Sequence, residues 1–119
     1  MKKGIHLLAD FYQCQSSLDL LKNRRSLKKA LLKILKEADF CVIDTLFYKF
    51  PGRGGITGLI LISESHLTIH TWPEKKFINL DIFLCNFKKD NSQKVKKAFK
   101  VFQLLFQPKK ILKREFKRE

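Results

Sequence analysis

Three hydroxyls, a carboxylate and two imidazoles lie between Ser63 and His70, and together they could carry out acyl transfer. A serine hydroxyl beside a strained peptide bond can attack the preceding carbonyl and convert the amide into an ester. An imidazole has the intrinsic basicity needed to remove a proton near neutral pH. We therefore predict that the side chains around Glu64-Ser65 are functional.

The residues on either side of Glu64-Ser65 have the pattern of two β-strands. Residues 59–62 form a run of branched aliphatic side chains, and residues 66–72 then alternate, with His66, His70 and Trp72 on one parity. A connection of this kind usually carries Asn-Gly or another glycine dipeptide. Here it carries reactive side chains instead, which favours a functional turn.

The twelve residues 63–74 read Ser-Glu-Ser-His-Leu-Thr-Ile-His-Thr-Trp-Pro-Glu, and they resemble the self-processing signature of prokaryotic S-adenosylmethionine decarboxylase. This family makes polyamine precursors with a pyruvoyl group. The resemblance is strong from about Phe50 to Cys85, recognisable again in residues 6–14 and faint in the helices and the C-terminal tail.

The resemblance implies that the chain cleaves itself between Glu64 and Ser65, into residues 1–64 and 65–119. Attack by Ser65 would form an ester, and removal of the serine α-proton would then eliminate the Glu64 carboxylate. The dehydroalanine that remains would hydrolyse to a covalent pyruvoyl cofactor derived from Ser65. That group would form an imine with the substrate amine and accept electrons during decarboxylation.

The resemblance also assigns roles to three further residues in this chemistry. It makes His70 the base that takes the serine α-proton during processing. It makes Cys85 the acid that returns a proton to the substrate carbon, although a buried cysteine is more often a packing residue. Thr57 stands where many relatives carry a serine that assists processing; it keeps the hydroxyl but restricts χ1.

Four residues are expected to bind substrate. Phe50 matches the aromatic side chain that stacks on adenine, and Glu74 matches the carboxylate that binds ribose hydroxyls. Trp72 and His66 are expected to line the pocket. The loop before Thr57 is one residue longer than in relatives. This departure near the pocket leaves open the alternative that the chain is an arginine or ornithine decarboxylase of the same family.

The remaining sequence predicts an α+β fold, a two-layer sandwich in which two helices pack on one face of a mainly antiparallel sheet. We expect helices over 18–38, with Ser26 as the N-cap of its main part, and from Ser92 to Pro108. The strands are expected over 4–12, 40–50, 59–62, 66–72 and 77–85, with a charged edge strand over 109–117.

The parities of these strands predict which side chains share the sheet face away from the helices. That face is expected to receive Thr57, Ser63, Ser65, His66, His70, Trp72, Asn79, Asp81 and Cys85. A purely solvated face would carry more lysine and glutamate, so this composition indicates a site. The resemblance implies that an identical subunit closes the face, as a homodimer of cleaved protomers.

Length and composition predict one domain of 119 residues with a packed core, since 45% of the residues are hydrophobic. Three cysteines without metal-ligand spacing and the absence of an apolar span predict a reduced cytoplasmic protein with no metal and no membrane contact. The net charge of +14 raises the alternative of a basic nucleic-acid-binding domain. We do not expect nucleic acid, because residues 88–119 carry 12 Lys and Arg against three acids while residues 57–85 are nearly neutral.

Overall fold

Six antiparallel strands form one sheet in the computed structural model, which describes residues 4–63, 65–85 and 92–119. The elements in chain order are β1 (Gly4–Tyr12), α1 (Leu18–Lys22), α2 (Arg24–Glu37), β2 (Val42–Lys49), β3 (Ile56–Ile62), β4 (Ser65–Trp72), a 3-10 turn (Pro73–Lys75), β5 (Phe77–Cys85), α3 (Ser92–Phe106) and β6 (Lys110–Arg118). The strands lie in the order β2-β3-β4-β5-β1-β6, so the first and last strands are neighbours and β6 forms one edge of the sheet.

Every second side chain of the four central strands is buried against the helices. Leu7 of β1, Ile60 of β3, Leu67 of β4 and Ile82 of β5 are at most 2% exposed. The helices contribute the residues that meet them, which are Leu21, Leu27, Leu31, Ile34, Leu35, Val95, Ala98, Phe99, Phe102 and Phe106. Burying each leucine or phenylalanine stabilises the fold by about 1.5–3 kcal/mol. The expected α+β sandwich is confirmed, with a short third helix in addition. None of the described helices is both long and apolar enough to cross a membrane.

The first helical segment differs from the prediction at its N-terminus. It is divided at Asn23, which ends α1 and caps α2 by accepting a hydrogen bond from the Ser26 backbone N–H at 3.1 Å. Ser26 lies inside the first turn of α2, where its hydroxyl donates to Asp19. The prediction of Ser26 as N-cap is therefore wrong: Asn23 is an equally good capping residue three positions earlier. Ser92 is likewise the first helical residue of α3 and not a flanking cap.

Both edges of the sheet carry polar or irregular strands. The charged strand expected over 109–117 is confirmed as β6, which pairs with β1 over the full length of both. At the other edge, β2 is shorter than expected and has a bulge between Val42 and Asp44. Charge and bulges both hinder the pairing of an edge with another chain.

The register of the β3–β4 hairpin corrects the expected position of Ser65. Ile62 pairs with Ser65, and Ser65 pairs with Leu84 on the other side. Cross-strand partners point to the same face, and both partners are buried against the helices. By register, then, Ser65 belongs to the core-facing set and not to the outer face. The inward-facing residues are even-numbered in β3 and odd-numbered in β4, because two residues separate the strands. A prediction that continues the numbering of β3 into β4 therefore places Ser65 on the wrong face.

Candidate active site

The sheet face away from the helices brings together residues from five strands in three cross-strand rows. Apart from Ser65, the residues assigned to this face are confirmed there by the strand registers, with Ser63 exposed at the end of β3. The first row contains Leu61, His66, Phe83, His6 and Phe116. The second contains Leu59, Thr68, Asp81, Leu8 and Arg114, and the third contains Thr57, His70, Asn79, Asp10 and Leu112.

Thr57 and His70 form a hydroxyl–imidazole pair in the third row. They are direct partners in the β3–β4 ladder, and Thr57 Oγ1 lies 3.1 Å from His70 Nδ1. His70 is exposed, so its ring is accessible from outside the chain. The pair can therefore hold the imidazole in a fixed orientation while leaving Nε2 available for proton transfer.

Asn79 organises the same row through its amide group. Trp72 Nε1 donates to Asn79 Oδ1 at 2.9 Å, and Asn79 Nδ2 donates to Asp10 Oδ1 at 2.8 Å. These bonds orient the indole, which is 43% exposed, across the face of the sheet. An open cavity of about 360 Å³ lies over this network and is lined by Leu8, Asp10, Thr68, His70, Asp81, Leu112 and Arg114 among others. Two carboxylates and one guanidinium line this cavity, so its lining carries charges of both signs.

A second group of side chains surrounds Ser65 at the hairpin end of β4. The Ser65 hydroxyl oxygen lies 3.2 Å from Nδ1 of His66. The His66 ring packs on two neighbours in its row, edge-on to His6 with centroids 6.5 Å apart and tilted against Phe83 at 5.9 Å. We refer to Ser65, His66, His6 and Phe83 as the hairpin-end cluster.

Two charged residues fix the orientation of His6. Arg118 Nη1 lies 3.2 Å from His6 Nδ1, and a guanidinium can only donate, so Nδ1 carries no proton. His6 Nε2 therefore carries the proton and donates it to Asp81. The Arg118 guanidinium also lies 4.8 Å from the Phe83 ring centroid. Asp81 and Arg118 therefore hold His6 between them, and Arg118 also contacts Phe83 of the same cluster.

The three cysteines have different surroundings. Cys85 is half-buried on the outer face, one residue beyond the β5 partner of Ser65. Cys14 is buried in the core, where burial raises the pKa of its thiol from 9.0 to about 11, so it stays protonated near neutral pH. Cys41 is exposed. Only Cys85 combines partial burial with a position beside Ser65.

The loop after β2 positions Phe50. Lys49 Nζ donates to the carbonyl oxygens of Phe50, Gly52 and Gly54 at 2.7, 3.3 and 2.6 Å, which folds residues 50–54 around one ammonium group. The Phe50 ring contacts Tyr48 edge-on, with centroids 4.9 Å apart, and is 46% exposed. Glu74 lies in the exposed 3-10 turn. Glu64 lies outside the described residues.

The structure divides the predicted catalytic, processing and pocket residues between two places. Ser65, His66 and Cys85 lie at the hairpin end, whereas Thr57 and His70 lie in the third row. Ser65 and His70 are five residues apart on one strand, a distance of about 16 Å at 3.3 Å per residue. His6 was not among the candidates. Its parity with Asp10 was visible in β1, but its proximity to His66 depends on β1 lying beside β5.

Comparisons with known proteins identify a family for this sequence and fold. The family model described as S-adenosylmethionine decarboxylase matches residues 5–119. An S-adenosylmethionine decarboxylase proenzyme of Archaeoglobus fulgidus is 34% identical over 105 residues, 88% of each chain. A proenzyme of the same name from Clostridium botulinum (strain Loch Maree / Type A3) is 41% identical over 83 residues, 70% of this chain and 69% of that one. The crystal structure of the adenosylmethionine decarboxylase from Aquifex aeolicus superimposes with a TM-score of 0.86 at 29% identity, covering 98% of this chain and 91% of the other.

Proposed function

This chain belongs to the S-adenosylmethionine decarboxylase family, and we propose that it decarboxylates S-adenosylmethionine to the aminopropyl donor for spermidine, using a pyruvoyl group made from Ser65. The observation that carries this proposal is the surroundings of Ser65. Its hydroxyl lies at the start of a strand within hydrogen-bond reach of an imidazole, and the Cys85 thiol is on the adjacent strand. These surroundings fit a half-buried carbonyl group that must exchange protons with its neighbours.

In the proposed maturation, Ser65 attacks the carbonyl of Glu64 and His70 removes the serine α-proton. Thr57, hydrogen-bonded to His70 Nδ1, orients the imidazole for this step. The mature pyruvoyl group supplies an electron sink for loss of carbon dioxide. Cys85 then protonates the substrate carbon. The names of the relatives, many of them proenzymes, support processing of this kind.

The separation of Ser65 from His70 supports a homodimer. A regular strand cannot bring two of its residues 16 Å apart into contact, at about 3.3 Å per residue, so the base must reach Ser65 from another chain. The outer face is also strongly apolar for a surface, with Leu46, Leu59, Leu61, Leu112 and Phe116 all at least 44% exposed. Two copies packed through this face about a two-fold axis would bury these side chains and place His70 of one chain beside Ser65 of the other.

The choice of substrate follows from the aromatic and acidic groups of the face. Trp72 and Phe50 offer exposed rings for a nucleobase, and Glu74 offers a carboxylate for ribose hydroxyls. Arginine and ornithine contain neither a nucleobase nor a ribose, so they would make no use of these side chains. The names of the relatives also give no support to the alternative of an arginine or ornithine decarboxylase. A cytoplasmic location remains a prediction, consistent with three cysteines in the thiol form.

Intact-mass spectrometry of purified protein tests the proposal. We expect two fragments, residues 1–64 and a pyruvoyl-blocked 65–119, and release of carbon dioxide from S-adenosylmethionine faster than from arginine or ornithine. Ser65→Ala should stay a single chain without activity, because it has no hydroxyl to attack. An uncut wild-type chain that is fully active would contradict the pyruvoyl mechanism, and preferred turnover of arginine or ornithine would contradict the substrate.

A further inference from the structure

We propose that His66 is a catalytic residue of maturation, the base that takes the hydroxyl proton of Ser65 when this oxygen attacks the Glu64 carbonyl. The proposal rests on the proposed self-processing. It assigns the hydroxyl proton of Ser65 to His66 and leaves the α-proton to His70. The observation behind it is the 3.2 Å separation of Ser65 Oγ from His66 Nδ1. A nucleophile and a base within hydrogen-bond reach, with the base oriented by a third group, is the arrangement that activates serine.

The second base of the reaction cannot take this proton within the same chain. His70 lies about 16 Å along β4 from Ser65, and its Nδ1 is already engaged by Thr57. The proposed role of His70 is removal of the α-proton, which follows ester formation. The hydroxyl proton leaves earlier and from a different atom. A base local to Ser65 supplies that first transfer.

The proton transfer balances without any other reactant. As the bond from Ser65 Oγ to the carbonyl carbon forms, the hydroxyl proton moves to His66 Nδ1 and gives an imidazolium. When the tetrahedral carbon collapses and its bond to the Ser65 nitrogen breaks, the imidazolium returns the proton to that nitrogen. The products are an ester and a free amine, and His66 ends neutral as it began.

The ring contacts of His66 explain how the base is oriented. His6 meets the ring edge-on at 84°, and Phe83 packs at 53°, so rotation about χ2 is restricted from two sides. His6 is fixed by Asp81 and Arg118, and Phe83 lies under the Arg118 guanidinium. The ring wedged between these side chains presents Nδ1 to Ser65. His6 is a positioning residue in this scheme, because it acts through His66.

The stage at which processing stops distinguishes the two bases. We expect precursors of His66→Ala and His66→Asn to mature about 10²–10⁴-fold more slowly than wild type and to resist cleavage by hydroxylamine, because no ester has formed. His70→Ala is the matched control and should accumulate a precursor that hydroxylamine cuts between Glu64 and Ser65. His66→Asn retains an acceptor near the position of Nδ1 but cannot take a proton near neutral pH. Added imidazole should accelerate maturation of His66→Ala and leave Ser65→Ala unchanged.

Three outcomes would overturn the role of His66: maturation of His66→Ala at the wild-type rate, a hydroxylamine-sensitive precursor in that variant, or full maturation of His66→Asn. The last would show that His66 contributes a hydrogen bond and no proton transfer. Thermal unfolding of each precursor, compared with Ser65→Ala, separates loss of chemistry from loss of folding. Failure of the wild-type chain to mature would instead contradict the proposed function itself.

Discussion

At the scale of single residues, the proposed decarboxylation depends on which thiol can give a proton to the substrate carbon. Cys85 is half-buried on the outer face at the end of β5, adjacent to the strand that begins with Ser65. Cys14 is the most buried of the three thiols and has a raised pKa of about 11, which makes it a packing residue. Burial thus separates Cys14, a core residue, from Cys85, which lies at the edge of the candidate site.

Cys85→Ala should separate maturation from catalysis. We expect normal cleavage, because neither attack by Ser65 nor removal of its α-proton needs the thiol, and decarboxylation slowed by about 10²–10⁴-fold. Without this donor, protons reach the cofactor carbon more often, and the small fragment should accumulate N-terminal alanine during turnover. Mass spectrometry of that fragment measures the effect. Exposed Cys41→Ala is the control, and wild-type turnover by Cys85→Ala would return this residue to packing.

At the scale of secondary structure, one buried hydroxyl connects the sheet to the first helix. Thr71 is 4% exposed, accepts a hydrogen bond from Ile56 N at 2.9 Å and donates one to Leu21 O at 2.7 Å. The same stretch of β4 lies so close to Gly55 that a Cβ there would be 1.9 Å from Thr71 O. The end of β4 that carries Trp72 is therefore fixed by the two hydrogen bonds of Thr71 and by the close approach of Gly55.

Thr71→Val should destabilise the precursor by about 2–4 kcal/mol, because it leaves a buried N–H and a buried carbonyl unpaired at about 1–3 kcal/mol each. Urea unfolding of the uncleaved Ser65→Ala background measures this free energy on a single chain. Thr68→Val, on the outer face, is the matched control and should change stability by less than about 0.5 kcal/mol. Equal destabilisation by the two substitutions would show that the hydrogen bonds of Thr71 contribute nothing special.

At the scale of the whole molecule, the proposed active site would be built from two chains. Ser65 begins β4 at the hairpin end, whereas the Thr57–His70 pair lies in the third row of the outer face, and many of the exposed side chains between these two places are apolar. A two-fold axis that lies between two such faces and runs across their strands sets the hairpin end of one face opposite the third row of the other. Each dimer would then contain two sites, both built from both chains.

Co-expression of Ser65→Ala with His70→Ala should restore cleavage that neither variant shows alone. In a mixed dimer, Ser65 of the His70→Ala chain faces His70 of its partner, so the His70→Ala chain is cut and the Ser65→Ala chain stays whole. Mass spectrometry identifies which chain is cleaved. Co-expression of His70→Ala with the double variant Ser65→Ala/His70→Ala is the control without a base. If no His70→Ala chain is cut in verified mixed dimers, the shared site is wrong.

The sequence by itself determined the fold class, most strand positions and the face on which most of the candidate residues lie. Alternating aliphatic residues placed Ile60, Leu67 and Ile82 in the core, because each strand presents successive side chains to opposite faces. The same rule predicted Thr57, His70 and Asn79 on the outer face. These predictions hold because they depend on local geometry alone.

Only the tertiary structure decided how the elements meet. Ser65 follows the core register because Ile62 pairs with it across the hairpin, and Asn23 caps α2 because the chain breaks between two helices there. His6 reaches Asp81 because β1 lies between β5 and β6, although 75 residues separate the two in sequence. Periodicity states which face a side chain occupies, and only strand pairing states which side chains share a row.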